Sequence, residues 1–183
     1  MNIEFRPAIL PDELRSLVAF DRKVFPSDCF PASEWRRYQS WWLLLNHRRV
    51  GCCAFHPNVD FQDDLFQGDL VQGDLVHDGL VHDDLGSGGE NPKLPGSLYI
   101  ASTGILPRFQ RQGLGQLFKS WQLAYAHRHH FTRIVTNTRK SNAAMIALNR
   151  KFGFRTIRTT PGYYANPREA TTVMELLLPD SAL

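Results

Sequence analysis

Cysteine is scarce in this chain, with three in 183 residues: Cys29, Cys52 and Cys53. That is too few, and too unevenly placed, for a disulfide framework. Cys52 and Cys53 are neighbours, so on a strand they face opposite sides and are expected to stay reduced. No base stands beside any of the three, so none is expected to act as a nucleophile. Long apolar runs are missing too. No stretch of 18 apolar residues occurs, and the longest candidate, residues 41–45, is interrupted within a few positions, so no transmembrane helix is expected. The opening residues carry Glu4 and no apolar segment, which argues against a secretory leader and for a reducing, cytoplasmic setting. Neither GxGxxG nor GK[ST] is present, which removes the Rossmann and P-loop readings.

Basic residues are absent from residues 60–90, which hold nine of the 18 acids and no Lys or Arg. The rest of the chain therefore carries 21 basic against 9 acidic residues, or +12. Residues 105–170 are more extreme, with 12 Lys and Arg against Glu169 alone. Such a surface attracts polyanions, with nucleic acid and a multiply phosphorylated cofactor as the two candidates.

The acidic segment contains a repeat of period five over residues 64–88: DLFQG, DLVQG, DLVHD, GLVHD, DLGSG. Each unit supplies one or two apolar side chains, too few to bury a core, so residues 60–95 read as a repetitive loop insertion within a single domain spanning 1–183. One coil of a pentapeptide solenoid is the sharper alternative. Calcium binding lacks both the 12-residue loop and the nine-residue repeat it would need.

Outside the insertion, strand and helix patterns mix. Residues 3–6 read as a strand and 11–24 as a helix, with Leu14, Leu17, Val18 and Phe20 on its apolar face. A loop follows over 25–31, then a short helix near 32–38. Residues 41–45 and 49–55 predict a hairpin around Asn46-His47. Residues 98–105 predict a strand, and 113–127 a helix striped by Leu114, Leu117, Phe118, Trp121 and Tyr125. A strand at 133–138, a helix over 141–152 capped by Gly153, and strands at 155–159 and 171–178 complete the pattern. His127, His129 and His130 fall at a helix end, where cations suit the dipole; no metal is expected.

The segment LYIASTGILPRFQRQGLG, residues 98–115, carries the most chemistry. A strand ends at Ile105, Pro107 stops pairing, and a helix begins near Gly113. Gly113 and Gly115 remove Cβ atoms beside the free N–H groups of a helix start, which together with Arg111 suits an anion.

QRQGLG, residues 110–115, resembles the Q/R-x-x-G-x-G/A signature of the GNAT N-acetyltransferase superfamily. The resemblance continues through SNAAMIALNRKFGF (141–154) and GYYANPREATTVMEL (162–176) in family order. It implies an α/β class: a single-domain GNAT fold, with a twisted mixed β-sheet flanked by helices and splayed at its centre. It also implies acetyl-CoA as cosubstrate, with pantetheine along Thr103, Gly104 and Ile105. The pyrophosphate would lie on Arg111, Gln112, Gly113, Leu114, Gly115 and Gln116, with Asn142 contacting the cofactor from the next helix.

The nearest motif match is to the ribosomal-protein alanine N-acetyltransferase branch, through S-N-A-A-x-I-A-L and through Tyr163, Tyr164, Glu169, Ala170 and Met174. Three acid–base positions depart from family usage: Tyr99, Asn137 and Asn149 stand where proton-carrying residues are usual. An asparagine cannot take a proton from an ammonium. The amine proton would then leave through water held by Asn137, Thr138 or the Tyr163–Tyr164 pair, or through a carboxylate such as Asp28 or Glu34. An α-amino group gives up its proton more readily than a lysine, by roughly 3 kcal/mol. Phe25 and Phe30, flanking residues 26–29, are expected on the acceptor side, whereas Trp35, Trp41 and Trp42 read first as core.

The expected function is acetyl transfer from acetyl-CoA to a primary amine, on a small molecule or a protein N-terminus, by direct attack in a ternary complex. Catalytic expectations fall on Tyr163, Tyr164 and Asn137. The alternative is an acetyl-CoA-binding module of little activity. A nucleic-acid binder is disfavoured, because charge alone does not require Gly113 and Gly115. A membrane partner is not expected. The acceptor amine and a homodimer are left open.

Overall fold

The computed structural model describes residues 2–57 and 96–179; the pentamer repeat lies outside the described residues. The hairpin around Asn46-His47 forms as expected, with both turn residues at positive φ (47° and 62°). Its arms are β2 (Gln39–Leu45) and β3 (Arg48–Pro57), and β1 (Ile3–Pro7) pairs antiparallel with β2. Between β1 and β2 come α1 (Leu14–Val24) and the single turn α2 (Ala32–Trp35). After β4 (Ser97–Ile105) a 3-10 turn over Pro107–Phe109 leads into α3 (Leu114–Arg128). Then follow β5 (Arg133–Arg139), α4 (Ala143–Lys151), β6 (Arg155–Ala165) and β7 (Arg168–Leu177). The sheet order is β1-β2-β3-β4-β5-β7-β6, parallel at the β4–β5 junction and antiparallel elsewhere.

Both faces of this sheet are covered, which explains why Trp41 to Leu45 is apolar at every position rather than alternating. On one face α3 packs Leu114, Phe118 and Tyr125 against Leu43, Cys53, Phe55, Ile100 and Ile134. On the other, α1 and α2 pack Leu14, Leu17, Phe20 and Trp35 against Trp42, Leu44, Cys52 and Ala54. Cys52 and Cys53 thus bury on opposite faces, and burial drives both thiols to higher pKa. Trp35 and Trp42 are fully buried core residues.

The sequence pattern differs from the structure at three places. α1 begins at Leu14 rather than residue 11, because the Glu13 side chain turns away to accept from the Ile9 N–H, Arg6 and Arg49. The second short helix stops at Trp35 instead of continuing to residue 38. The last two strands are also longer than their pattern. β6 and β7 form one long hairpin, with Pro161 and Gly162 accommodated where the register shifts between Thr160 and Tyr164. A proline–glycine pair reads locally as a strand end, yet a bulge lets the ladder resume beyond it.

The loop between α1 and α2 is pinned from below. The Asp21 carboxylate, 1% exposed, accepts from the Phe30 N–H at 2.6 Å. Burial raises its pKa to about 6, against the opposing pull of that N–H. A raised carboxyl pKa adds stability below about pH 4, and that contribution is lost as pH climbs through 6. Asp21→Asn is therefore expected to stabilise the fold at pH 8 by about 1–3 kcal/mol. The gain should shrink towards pH 4, as measured by urea unfolding at the two pH values.

Candidate active site

The ladder between β4 and β5 is short. It pairs Ser97, Leu98, Tyr99 and Ile100 with Arg133, Ile134, Val135 and Thr136, and then stops. Against β3, the β4 register shifts at the same place, between Phe55↔Ile100 and Ala54↔Ser102. The extra residue, Ala101, is a bulge, and a bulge bends its strand. Beyond it β4 stays paired to β3 through Ile105 while β5 stays paired to β7 through Arg139. Residues 101–105 thus turn an unpaired edge towards an opening in the sheet.

The residues expected to hold the cofactor gather at one side of that opening. Thr103, Gly104 and Ile105 lie on the unpaired part of β4, and the Ile105 carbonyl is taken by the Gln110 side chain at 2.8 Å. A Cβ on Gly104 would stand 3.1 Å from both Val24 and Phe25, so glycine lets the end of α1 press on this strand. Arg111 (φ 59°), Gln112 and Gly113 (φ 82°) form the turn into α3. Nothing lies within 4 Å of a Cβ placed on Gly113, so the turn faces open space. Leu114, Gly115 and Gln116 supply the first turn of the helix, whose N–H groups have no intrahelical partner. α4 lies alongside, with Leu148 against Gly115 and Lys151 Nζ 2.9 Å from Gln116 Oε1. At its start, Asn142 Oδ1 accepts from the Met145 N–H at 3.1 Å, so this oxygen caps the helix.

At the other side of the opening the expected acid–base positions meet. Tyr99 OH donates to Asn137 Oδ1 at 2.5 Å, and Asn137 Nδ2 donates to Thr171 Oγ1 at 3.3 Å. Tyr163 bonds to the Asn137 side chain and Tyr164 to that of Thr171. The two tyrosine rings pack edge to face with centroids 5.0 Å apart. Asn149, by contrast, is buried in α4 and takes no part in this group. Thr138 joins through its carbonyl, which accepts from Thr171. Burial pushes the Tyr99, Tyr163 and Tyr164 hydroxyls up, the last to about 12. None is a tyrosinate at neutral pH. The group can orient an acceptor or a water but cannot itself remove a proton.

Two carboxylates approach from the α1–α2 side. Asp28 takes a bidentate pair from Arg139, at 2.6 and 2.7 Å. Glu34 accepts from Tyr38 OH at 3.1 Å and meets Arg37 at 3.6 Å. Its charge reaches Tyr99 and Tyr163. Phe30, packed on Trp35 and Tyr38, completes this wall.

Arg139, at the end of β5, carried no signal in the sequence. Besides Asp28, its guanidinium binds Glu169 at 3.1 Å and the Asn166 and Pro167 carbonyls, and stacks 4.2 Å over Tyr164. Those contacts raise its already high pKa. Glu169 is held low by the Ser141 N–H and by Arg139. One cation therefore joins the α1–α2 loop, β5 and the β6–β7 turn. Among the described residues no group of three or more His, Cys, Asp and Glu could hold a metal ion, and no helix is long and apolar enough to cross a membrane.

A sheet opened between two central strands, with a glycine-turned helix start at one mouth and a polar cluster at the other, defines an acyl-transferring α/β fold. The sequence pattern of the acetyltransferase (GNAT) family matches residues 12–154, and the chain belongs to that family. Its fold is similar to that of ribosomal-protein-S18-alanine N-acetyltransferase from Escherichia coli, with TM-score 0.69 and 16% identity over 100% of this chain and 99% of that one. It is similar as well to the loading GNATL domain of CurA from Lyngbya majuscula (TM-score 0.75, 16% identity, 97% and 98% covered). A third similar structure is a GNAT family acetyltransferase from Elizabethkingia anophelis with acetyl-CoA bound (0.67, 14%, 97% and 99%). No curated protein sequence matches the chain significantly.

Arg139→Met strands two carboxylates at once and is expected to cost about 2 kcal/mol. Arg139→Lys should recover little of it, since an ammonium cannot make the fork. Thermal unfolding of the three proteins measures both effects.

Proposed function

We propose that this acetyltransferase moves the acetyl group of acetyl-CoA to a primary amine on a small molecule or a peptide N-terminus, by direct attack in a ternary complex. The observation that carries the reading is the unpaired edge of β4 past Ile100, with the Gly113 turn on one side and the Tyr99–Asn137–Tyr163 group on the other. Acetyl-CoA supplies the activated thioester. The residues at the helix start fit its diphosphate: free N–H groups, Arg111, and open space above Gly113. Those backbone N–H groups of residues 103–105 that the β3 ladder leaves free are the donors available to a thioester oxygen.

On the acceptor side Asn137 and the tyrosines orient the amine, as hydrogen-bonding groups that stay neutral. Of the two carboxylates, Asp28 is committed to Arg139, whereas Glu34 is bound by a neutral phenol and a longer contact to Arg37. Glu34, acting through water, is the base we assign. The similarity to an alanine N-acetyltransferase supports a peptide α-amine among the acceptors. So does the lower pKa of such an amine, which leaves a weak base less to do.

The test is acetyl-CoA-dependent thiol release with one pool of N-terminal peptides and one of small amines. Turnover is expected, and Glu34→Gln should lower kcat by about 100-fold with the acetyl-CoA KM unchanged. Cofactor binding without turnover in either pool would replace this reading by that of a binding module. Gly113→Trp fills the open space and is expected to abolish CoA binding, measured by calorimetry. Gly113→Ala carries the same backbone strain of about 1 kcal/mol without the bulk and should weaken binding far less.

A further inference from the structure

α3 buries an ammonium that the acceptor-side chemistry does not use. Lys119, on the second turn of the helix, is 2% exposed. It takes part in none of the ion pairs among the described residues. Its Nζ lies 5.1 Å over the Phe154 ring. From β3, Cys53 is the titratable group close enough to act on its charge. Cys53 pairs with Thr103, in the part of β4 that has already left β5. The ammonium therefore sits behind the place where β4 and β5 part.

Two further buried polar side chains share that layer. Gln122, one turn along α3, donates to Thr103 Oγ1 at 2.8 Å, on the unpaired part of β4, while its own Oε1 has no partner. Asn149 of α4 is fully buried and gives its Nδ2 to the Met174 sulfur at 3.7 Å, and its Oδ1 is likewise without a partner. The Asn149 carbonyl accepts from the N–H of Phe154, whose ring lies under Lys119. A core that only had to pack would not collect an uncompensated cation and two unsatisfied amide oxygens. These groups suit a polar visitor to the opening.

We propose that Lys119 faces the sulfur end of the cosubstrate and gives its proton to the departing thiolate. The proposal rests on the acetyl-transfer reading above. In that step the acceptor nitrogen forms the N–C bond and the C–S electron pair passes to sulfur. The sulfur takes a proton from the Lys119 ammonium. The proton shed by the acceptor nitrogen returns to the lysine through solvent, so the enzyme ends each turnover unchanged. Desolvation brings the Lys119 pKa down to about 8, in the range of a thiol, so the transfer is close to balanced. Cys53 is itself protonated there, and α4 and the connection leading into β6 present the uncharged Asn149 and Phe154.

The decisive measurement is the titration of CoA bound to the intact chain. Thiolate absorbance is followed against pH, with desulfo-CoA as the blank for the protein's own thiols. In the wild type the bound thiol is expected to ionise at a proton concentration about tenfold higher than free CoA does. In Lys119→Met that shift should vanish, while kcat falls about 100-fold and the acetyl-CoA KM stays put. Lys119→Met should also melt above the wild type at pH 7, with the gap closing as pH rises towards 10 and the native lysine discharges. That result shows the variant folded. Bound CoA whose thiol titrates as it does free, or titrates alike in both proteins, overturns the proposal and leaves the acetyltransferase reading intact. Failure of the wild type to bind CoA overturns both.

Discussion

Four residue pairs between β4 and β5 set the terms for everything else in this fold. The ladder ends at Ile100 and Thr136 because Ala101 is an extra residue against β3. A bulge in one strand of a pair cannot be absorbed by the neighbour on its other side, so β4 follows β3 and parts from β5. Had the ladder run to Ile105, the sheet would be closed, and the Gly113 turn would serve no purpose beyond connection. The opening can persist because each face has its own core, one under α3 and one under α1 and α2. Neither depends on the lost hydrogen bonds.

The two mouths of the opening differ in charge. At the Tyr99–Asn137 mouth the central groups are neutral: Tyr99, Asn137, Thr171, Tyr163 and Tyr164 satisfy one another, and burial keeps the phenols protonated. The charges there stand at the rim, where Arg139 draws in Asp28 and Glu169. Arg139 gives this wall its shape, because it ties the α1–α2 loop, which lies outside the sheet, to the end of β5 and the β6–β7 turn. The α3 side is the reverse: among the described residues Lys119 is its buried cation, and the Gln122 and Asn149 amide oxygens there lack partners. A reaction that discharges an ammonium at one end and creates a thiolate at the other suits such a division.

Much of the scaffold was legible in the residues. The Asn46-His47 hairpin, the helix starting after Gly113 and the Gly153 stop depend on turn chemistry within a few positions, and all three formed as read. Pro161 and Gly162 misled for the same reason, since a bulge inside a ladder and a strand end use the same residues. Lys119 and Gln122 were illegible in a different way. They stand beside the apolar stripe of α3, where the sequence alone suggests the flank of a helix, and both are buried: Gln122 reaches Thr103 of β4, and Lys119 lies over Phe154 and near Cys53 of β3.

What the sequence determined by itself was the order of elements, the glycine turn into α3 and the chemistry of the side chains at Tyr99, Asn137 and Asn149, none of which is a carboxylate. Each is a property of residue type at short spacing, governed by backbone preference and side-chain chemistry. Tertiary structure alone decided which of those residues meet. It joined Tyr99 to Asn137 across 38 positions and Asn137 to Thr171 across 34, and it left Asn149 outside the group. It bound Asp28 to Arg139 over 111 positions, which leaves Glu34 as the carboxylate not committed to Arg139 on that wall. Partnership of this kind is a matter of distance and burial, and the local pattern of a chain holds neither.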